Sequence, residues 1–203
     1  MRGLLRSEHG SAVVVMLLVF IPLLLAGVFL TTEHARSVYG ADVKLGRAVA
    51  EAVRAAAMCV DAESDAHGEP AVSPDMAHSI FRTILARNLG LSSATMQPLD
   101  GSLVESLEYV LVVYNGDSKW LPGCWKYVFG SGTVSYSLAY AGFPQKFAVD
   151  PDDVSFGEGT KTVELASPGC IALVKVRLKP VLYRGSPEEV PAVRWAAARI
   201  VRY

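Results

Sequence analysis

Val13 to Leu30 carries no charge and no strongly polar side chain over 18 residues. Counted from Ser11 the stretch is 20 residues, about what a helix needs to cross a hydrocarbon core of roughly 30 Å. Beyond it the pattern turns amphipathic. Tyr39, Val43, Gly46, Ala50, Val53, Ala57 and Val60 follow one another at steps of four and three. That 3.5-residue period predicts a seam for lengthwise packing on another helix, and its Ala and Gly members permit close approach. Arg36, Lys44, Arg47, Glu51 and Arg54 occupy other faces. No proline lies between residues 23 and 69. One expectation is therefore a single helix from Ser11 to Val60, roughly 75 Å long at 1.5 Å per residue. The other is a break at Thr31–Thr32, with a second helix packed on its own domain, the commoner use of such a stripe. Pro22 removes one backbone hydrogen bond within the apolar stretch and predicts a kink.

Further along, Ser73-Pro74-Asp75 starts a second, short helix: an N-cap residue, proline at the first turn and an acid at the positive dipole end. Ala77, Ile80, Phe81, Ile84, Leu85 and Leu89 form its expected buried face, and Gly90 its stop. From Leu107 the period falls to two or gives way to continuous apolar runs. Residues 107–114 lead into Asn115-Gly116, a hairpin signal. Val134, Tyr136, Leu138 and Tyr140 alternate with smaller residues. Val174, Val176 and Leu178 alternate with Lys175, Arg177 and Lys179 up to Pro180, predicting a half-exposed strand. The last run, Val193 to Tyr203, reads as a strand although Ala196–Ala198 suits a helix. The expected class is α+β: a long N-terminal helix, transmembrane and then amphipathic, a second short helix, and a C-terminal antiparallel sheet.

The organisation that follows is a leader over 1–10, a transmembrane helix over 11–31, an amphipathic continuation over 32–60 and an extracytoplasmic domain over 61–203. Arg2 and Arg6 precede the apolar stretch, so the positive-inside rule keeps the N-terminus cytoplasmic and the C-terminal domain outside. A cleaved secretory signal fits less well, because its apolar region is typically about 7–15 residues and ends at a small-residue site. Here Thr31-Thr32-Glu33-His34-Ala35-Arg36 follows instead.

Charge and cysteine usage narrow the partners. A formal net charge of −1 supplies no basic field for nucleic acid. From Pro168 onward there are seven Lys/Arg and two Glu, whereas Asp150 to Glu164 holds five acids and one Lys. A basic strand and an acidic loop of this kind mate between subunits or stand as two solvated faces. Cys59, Cys124 and Cys170 form no CxxC, and the histidines at 9, 34, 67 and 78 lie at no zinc-ligand spacing. Two readings remain: a Cys124–Cys170 disulfide within the β region, or three reduced thiols. Asp61, Glu63 and Asp65 alternate like calcium ligands, but Gly68 falls two places late and Val72 stands where a bidentate glutamate belongs. That leaves a solvated acidic turn.

Catalytic motifs do not emerge. The sequence holds no GxSxG, GxxxxGK[ST], HExxH or CxxC. Gly130-Ser131-Gly132 suits a turn, Gly157-Glu158-Gly159 has no following helix, and Asp150, Asp152 and Asp153 have no histidine near them in sequence. No enzyme and no cofactor are expected.

A basic leader ending in Gly10-Ser11-Ala12, an apolar helix with a central proline, and an Ala-rich amphipathic continuation resemble the TadE/TadG group of pilin-like proteins of tight-adherence (Flp-type) pilus systems. The resemblance covers about the first 60 residues. A weaker echo lies in the strand closing on Lys179-Pro180 and in the last run, VRWAAARIVRY. It implies cleavage by a prepilin peptidase between Gly10 and Ser11, a minor pseudopilin role at a filament's start or tip, and partners among other pilins, the assembly machinery and the membrane. Val15 stands where such proteins usually carry a glutamate five residues after the cut, which argues against a major subunit. The alternative is a permanently anchored extracytoplasmic binding or adhesion module.

Overall fold

The computed structural model describes residues 8–102, 104–129, 134–137, 142–178 and 191–200. Helix α1 spans Glu8–Ala57, 50 residues with Pro22 inside it. The chain divides into two compact units, Met1–Ala41 and Asp42–Tyr203. In the first, every described side chain from Val14 to Thr32 is exposed. Thr31 and Thr32 do not break α1. Their hydroxyls donate back to the carbonyls of Val28 and Phe29 at 2.9–3.0 Å, which lets threonine sit inside a helix with its polar group satisfied.

In the second unit α1 ends at Ala57, earlier than its expected end at Val60. Val60 instead forms an isolated antiparallel bridge with Val72. The acidic turn coils into a short helix, α2 (Ala62–Ala66), because the Asp61 carboxylate accepts the Ser64 N–H at 3.0 Å as its N-cap. Helix α3 (Pro74–Leu89) begins and ends where its signals place it, with Pro74 in the first turn and Gly90 left-handed at φ 69°. Ala77, Phe81, Leu85 and Ala86 are its buried residues, and Ile80, Ile84 and Leu89 pack beside them.

Two antiparallel sheets follow. The larger has the order β3-β2-β1-β7-β8, formed by β1 (Val104–Gly116), β2 (Gly123–Phe129), β3 (Val134–Ser137), β7 (Gly169–Leu178) and β8 (Pro191–Arg199). The smaller has the order β5-β4-β6, formed by β4 (Gln145–Val149), β5 (Val154–Phe156) and β6 (Thr162–Leu165). The final run is a strand, as expected. The β1–β2 hairpin does not turn on Asn115-Gly116: Gly116 pairs with Gly123, the loop is 117–122, and Asn115 is fully buried. Leu138, Tyr140, Gly130-Ser131-Gly132, Lys179-Pro180 and residues 201–203 lie outside the described residues.

Burial on both faces of the larger sheet explains the continuous apolar runs. Leu107, Tyr109, Leu111 and Val113 of β1 face a core shared with α1 and α3. Val110, Val112 and Tyr114 face a second core with Phe147, Val149, Val154 and Leu165 of the smaller sheet. The second unit is therefore three layers: helices, a five-stranded sheet and a three-stranded sheet. Strand β7 is buried on both faces from Gly169 to Val174 and alternates only at Lys175–Arg177.

Candidate functional site

The residues singled out by the sequence fall into three places. Gly10 and Ser11 lie in α1, in the first unit. Next to them is the one described helix long and apolar enough to cross a membrane, Val14–Glu33, 20 residues of mean hydropathy 2.8. None of that window is covered by the rest of the protein. Fourteen large apolar side chains stand free on it. Each would gain about 1.5–3 kcal/mol on full burial, together more than the net stability of an ordinary domain, about 5–15 kcal/mol. An uncovered apolar helix of this length suits a membrane span or a signal sequence by length and composition.

The seam is the second place, and the structure corrects it. The buried stripe of α1 is Leu45, Ala48, Val49, Ala52, Val53, Ala56 and Ala57, all at or below 2 % exposure. Val53 and Ala57 belong to it and pack in this chain's own core. Gly46, Ala50 and Val60 are half-buried at its margin, and Val43 is exposed. Tyr39 lies in α1, with its side chain outside the described residues. The second half of the seam is thus not a free surface. The neighbouring sheet selects a stripe rotated from the heptad positions, since an Ala/Val-rich helix offers several apolar stripes.

Gly46 lies under an ion pair. Arg194 of β8 passes over it, its Cδ 3.9 Å from where a Cβ would stand, and pairs with the Asp42 carboxylate. The pair ties one end of the second unit's helical segment to the edge strand.

The cysteines are the third place. All three are buried and free, and of the two readings the Cys124–Cys170 disulfide is excluded by register. Cys124 is opposite Tyr114, and Cys170 is opposite Val113. Successive residues of β1 point to opposite faces of the sheet, so the two thiols lie in different cores. They are also two strands apart, about 9–10 Å at ordinary strand spacing, beyond the roughly 7 Å that a disulfide spans between Cα atoms. Burial pushes the Cys124 thiol up to about 12. It raises Cys170 further, with the neighbouring Cys59 adding to the shift.

The basic strand and the acidic loop meet within the chain at one described pair. Lys175 of the basic strand meets Asp152 of the acidic loop at 2.9 Å, and Lys126 of β2 pairs with Asp153. Asp153 also accepts the Val154 N–H at 2.7 Å. These carboxylates pin the β4–β5 turn across the larger sheet. Beside them is a shallow cleft of about 290 Å³.

Two arrangements were not legible in the sequence. His78 of α3 stacks on Tyr127 at 4.2 Å, with its Nε2 2.9 Å from the Tyr109 hydroxyl. Tyr127 in turn donates to Asp75 at 3.1 Å. Desolvation, reinforced by Arg82 and opposed by Asp75, holds His78 below the usual imidazole range. The stack and the hydrogen bonds tie α3 to β1 and β2 of the larger sheet as a polar clamp. The second arrangement is an open cleft of about 570 Å³ whose lining includes Glu69, Asp117, Phe143, Pro168 and Arg199. Among the described residues, no group of three or more His, Cys, Asp or Glu is placed to hold a metal.

Neither a protein-family model, nor a curated protein, nor a solved structure matches this chain.

Proposed function

We propose that this protein is a non-enzymatic pilin-like subunit, a minor pseudopilin or assembly factor of a type IV or Flp-type pilus, working through its N-terminal helix. One observation carries the reading: fourteen apolar side chains of Val14–Leu30 stand uncovered, while the second unit has two complete cores of its own. The helix has to be covered by something else. A bilayer covers it before assembly, and the helices of other pilins cover it in a filament, where van der Waals packing and small residues hold neighbours together. The N-terminus is cytoplasmic, the second unit extracytoplasmic, and the prepilin peptidase cuts between Gly10 and Ser11. Val15 leaves no carboxylate to neutralise a new amino group inside an apolar filament core, where an unpaired charge is expensive. That favours a minor position over a repeated one.

The test is the N-terminus and intact mass of the protein taken from its native membrane with the peptidase present. A chain starting at Ser11 is the expected result. A chain retaining residues 1–10 favours the second reading, a permanently anchored binding or adhesion module. The observation behind that reading is the open cleft bounded by Arg199 and the two carboxylates Glu69 and Asp117.

A further inference from the structure

We propose that Cys59 and Cys170 are the disulfide-forming pair of this protein, joining the end of α1 to β7 when the second unit meets an oxidising compartment. The inference rests on the extracytoplasmic reading only for where the oxidant is met; the pairing rests on the fold. Both thiols belong to the core between the helices and the larger sheet, whereas Cys124 belongs to the core on the opposite face.

A short chain of contacts places them at one junction. The Cys59 carbonyl accepts the Ser73 N–H at 2.8 Å. Val72, next to Ser73, is held on both backbone groups by the Asn115 side chain at 2.9 Å. Asn115 follows Tyr114 on β1, where Tyr114 is opposite Gly169 and Val113 is opposite Cys170. The electrostatic effect of Cys59 on the Cys170 thiol agrees with this proximity. In the structure the Cys59 thiol donates to the Ala55 carbonyl at 3.3 Å, a weak bond that a rotation about χ1 releases.

The chemistry balances as thiol–disulfide exchange with a small-molecule or protein disulfide as oxidant. Cys59, the less deeply buried thiol, loses its proton and attacks the oxidant's disulfide, expelling one thiol. Cys170 then loses its proton and attacks the Cys59 sulfur of the mixed disulfide, expelling the second. The two cysteine protons end on the two expelled thiols, and two electrons pass to the oxidant. Burial raises both thiols above their ordinary range, so exchange is slow in the folded chain and fast while the chain folds. The link closes a loop over most of the second unit, the geometry in which a crosslink constrains the unfolded chain most.

The experiment uses the full chain in detergent micelles, partly denatured and returned to native conditions in a mixture of reduced and oxidised glutathione. Free thiols are then alkylated and the digest is mapped by mass spectrometry. The expected result is one linked species, the Cys59 peptide joined to the Cys170 peptide, with Cys124 alkylated. A Cys124→Ser variant gives the same link, and the linked chain unfolds at a higher denaturant concentration than the reduced one. A link through Cys124, or Cys59 and Cys170 both alkylated at every glutathione ratio, overturns the proposal. The same mapping on protein from its native membrane separates the two readings. A pair that links in glutathione but is free there counts against the extracytoplasmic placement and leaves the pairing standing.

Discussion

The side-chain amide of Asn115 satisfies both backbone polar groups of Val72, donating from Nδ2 to the carbonyl and accepting the N–H at Oδ1, each at 2.9 Å. The residues are 43 positions apart and both are fully buried. An amide is the one neutral side-chain group that offers a donor and an acceptor in this spacing. It extends the Val60–Val72 bridge inward to the sheet, so the segment after α2 is held on two sides.

Replacing Asn115 by Ala leaves a buried N–H and a buried C=O unpaired. At about 1–3 kcal/mol for each unsatisfied group, the two together predict a loss of about 2–6 kcal/mol. Asn115→Asp keeps the shape but loses the donor and places a carboxylate beside the Val72 carbonyl, so it should be no better tolerated than Ala. Denaturant unfolding of the three full-length proteins in micelles checks the order. An Asp variant as stable as the parent would mean that the donor half of the pair contributes nothing.

Gly169 is expected to resist substitution for a different reason. A Cβ at this position would run into the Ala198 carbonyl oxygen and approach the Arg199 Cα at 2.9 Å. Both are backbone atoms of the paired strand, so no rotamer change relieves the clash. Gly169→Ala should cost about 1–3 kcal/mol as an overpacking change and loosen the end of β8. Hydrogen exchange at the β7–β8 ladder near Arg199 would show faster exchange in the variant than in the parent, and unchanged protection would refute the account.

Helix α3 was legible because its signals are local: Ser73, Pro74 and Gly90 act within one turn of the ends they set. The existence of β1, β7 and β8 was legible from apolar runs and alternation. The smaller sheet was not, because Gln145-Lys146-Phe147-Ala148-Val149 and the three residues of β5 are too short for a period to emerge. Cysteine pairing was not legible because it depends on register: one residue decides which core a thiol enters, and the ladder shifts between Tyr114 and Gly116. The α1 stripe was misread by a fraction of a turn. With Ala or Val at most positions from 48 to 57, the facing sheet decides which positions are buried.

His78 makes stability depend on pH. Its pKa in the folded chain lies below the ordinary 6.5, so protonation favours the unfolded chain. Its contribution is therefore complete above that value and is lost as pH falls from there toward the folded pKa. The groups facing it are Asp75 and Arg82 on its own helix and Tyr109 and Tyr127 on the sheet. The denaturation midpoint of the parent should fall as the pH is lowered below about 6.5, the ordinary imidazole value. His78→Gln, which keeps a polar partner for the Tyr109 hydroxyl without titrating, should show a flatter profile there. Parallel profiles would remove His78 as the cause.

The buried stripe of α1 predicts a separation between folding and association. Ala57 is 1 % exposed in the second unit's core, so Ala57→Leu forces a larger side chain into filled space. It should destabilise the protein by about 1–3 kcal/mol, whatever partner the chain has. Val43 is exposed, and Val43→Ala should change stability by no more than about 0.5 kcal/mol. If lateral packing runs along the uncovered face of α1, Val43→Asp should reduce co-purification with pilin partners while its denaturation midpoint stays with the parent's. Measuring both quantities on both variants is decisive. A loss of partners by Ala57→Leu with unchanged stability would return Ala57 to an intermolecular seam, and intact partners with Val43→Asp would take the Val43 face out of the interface.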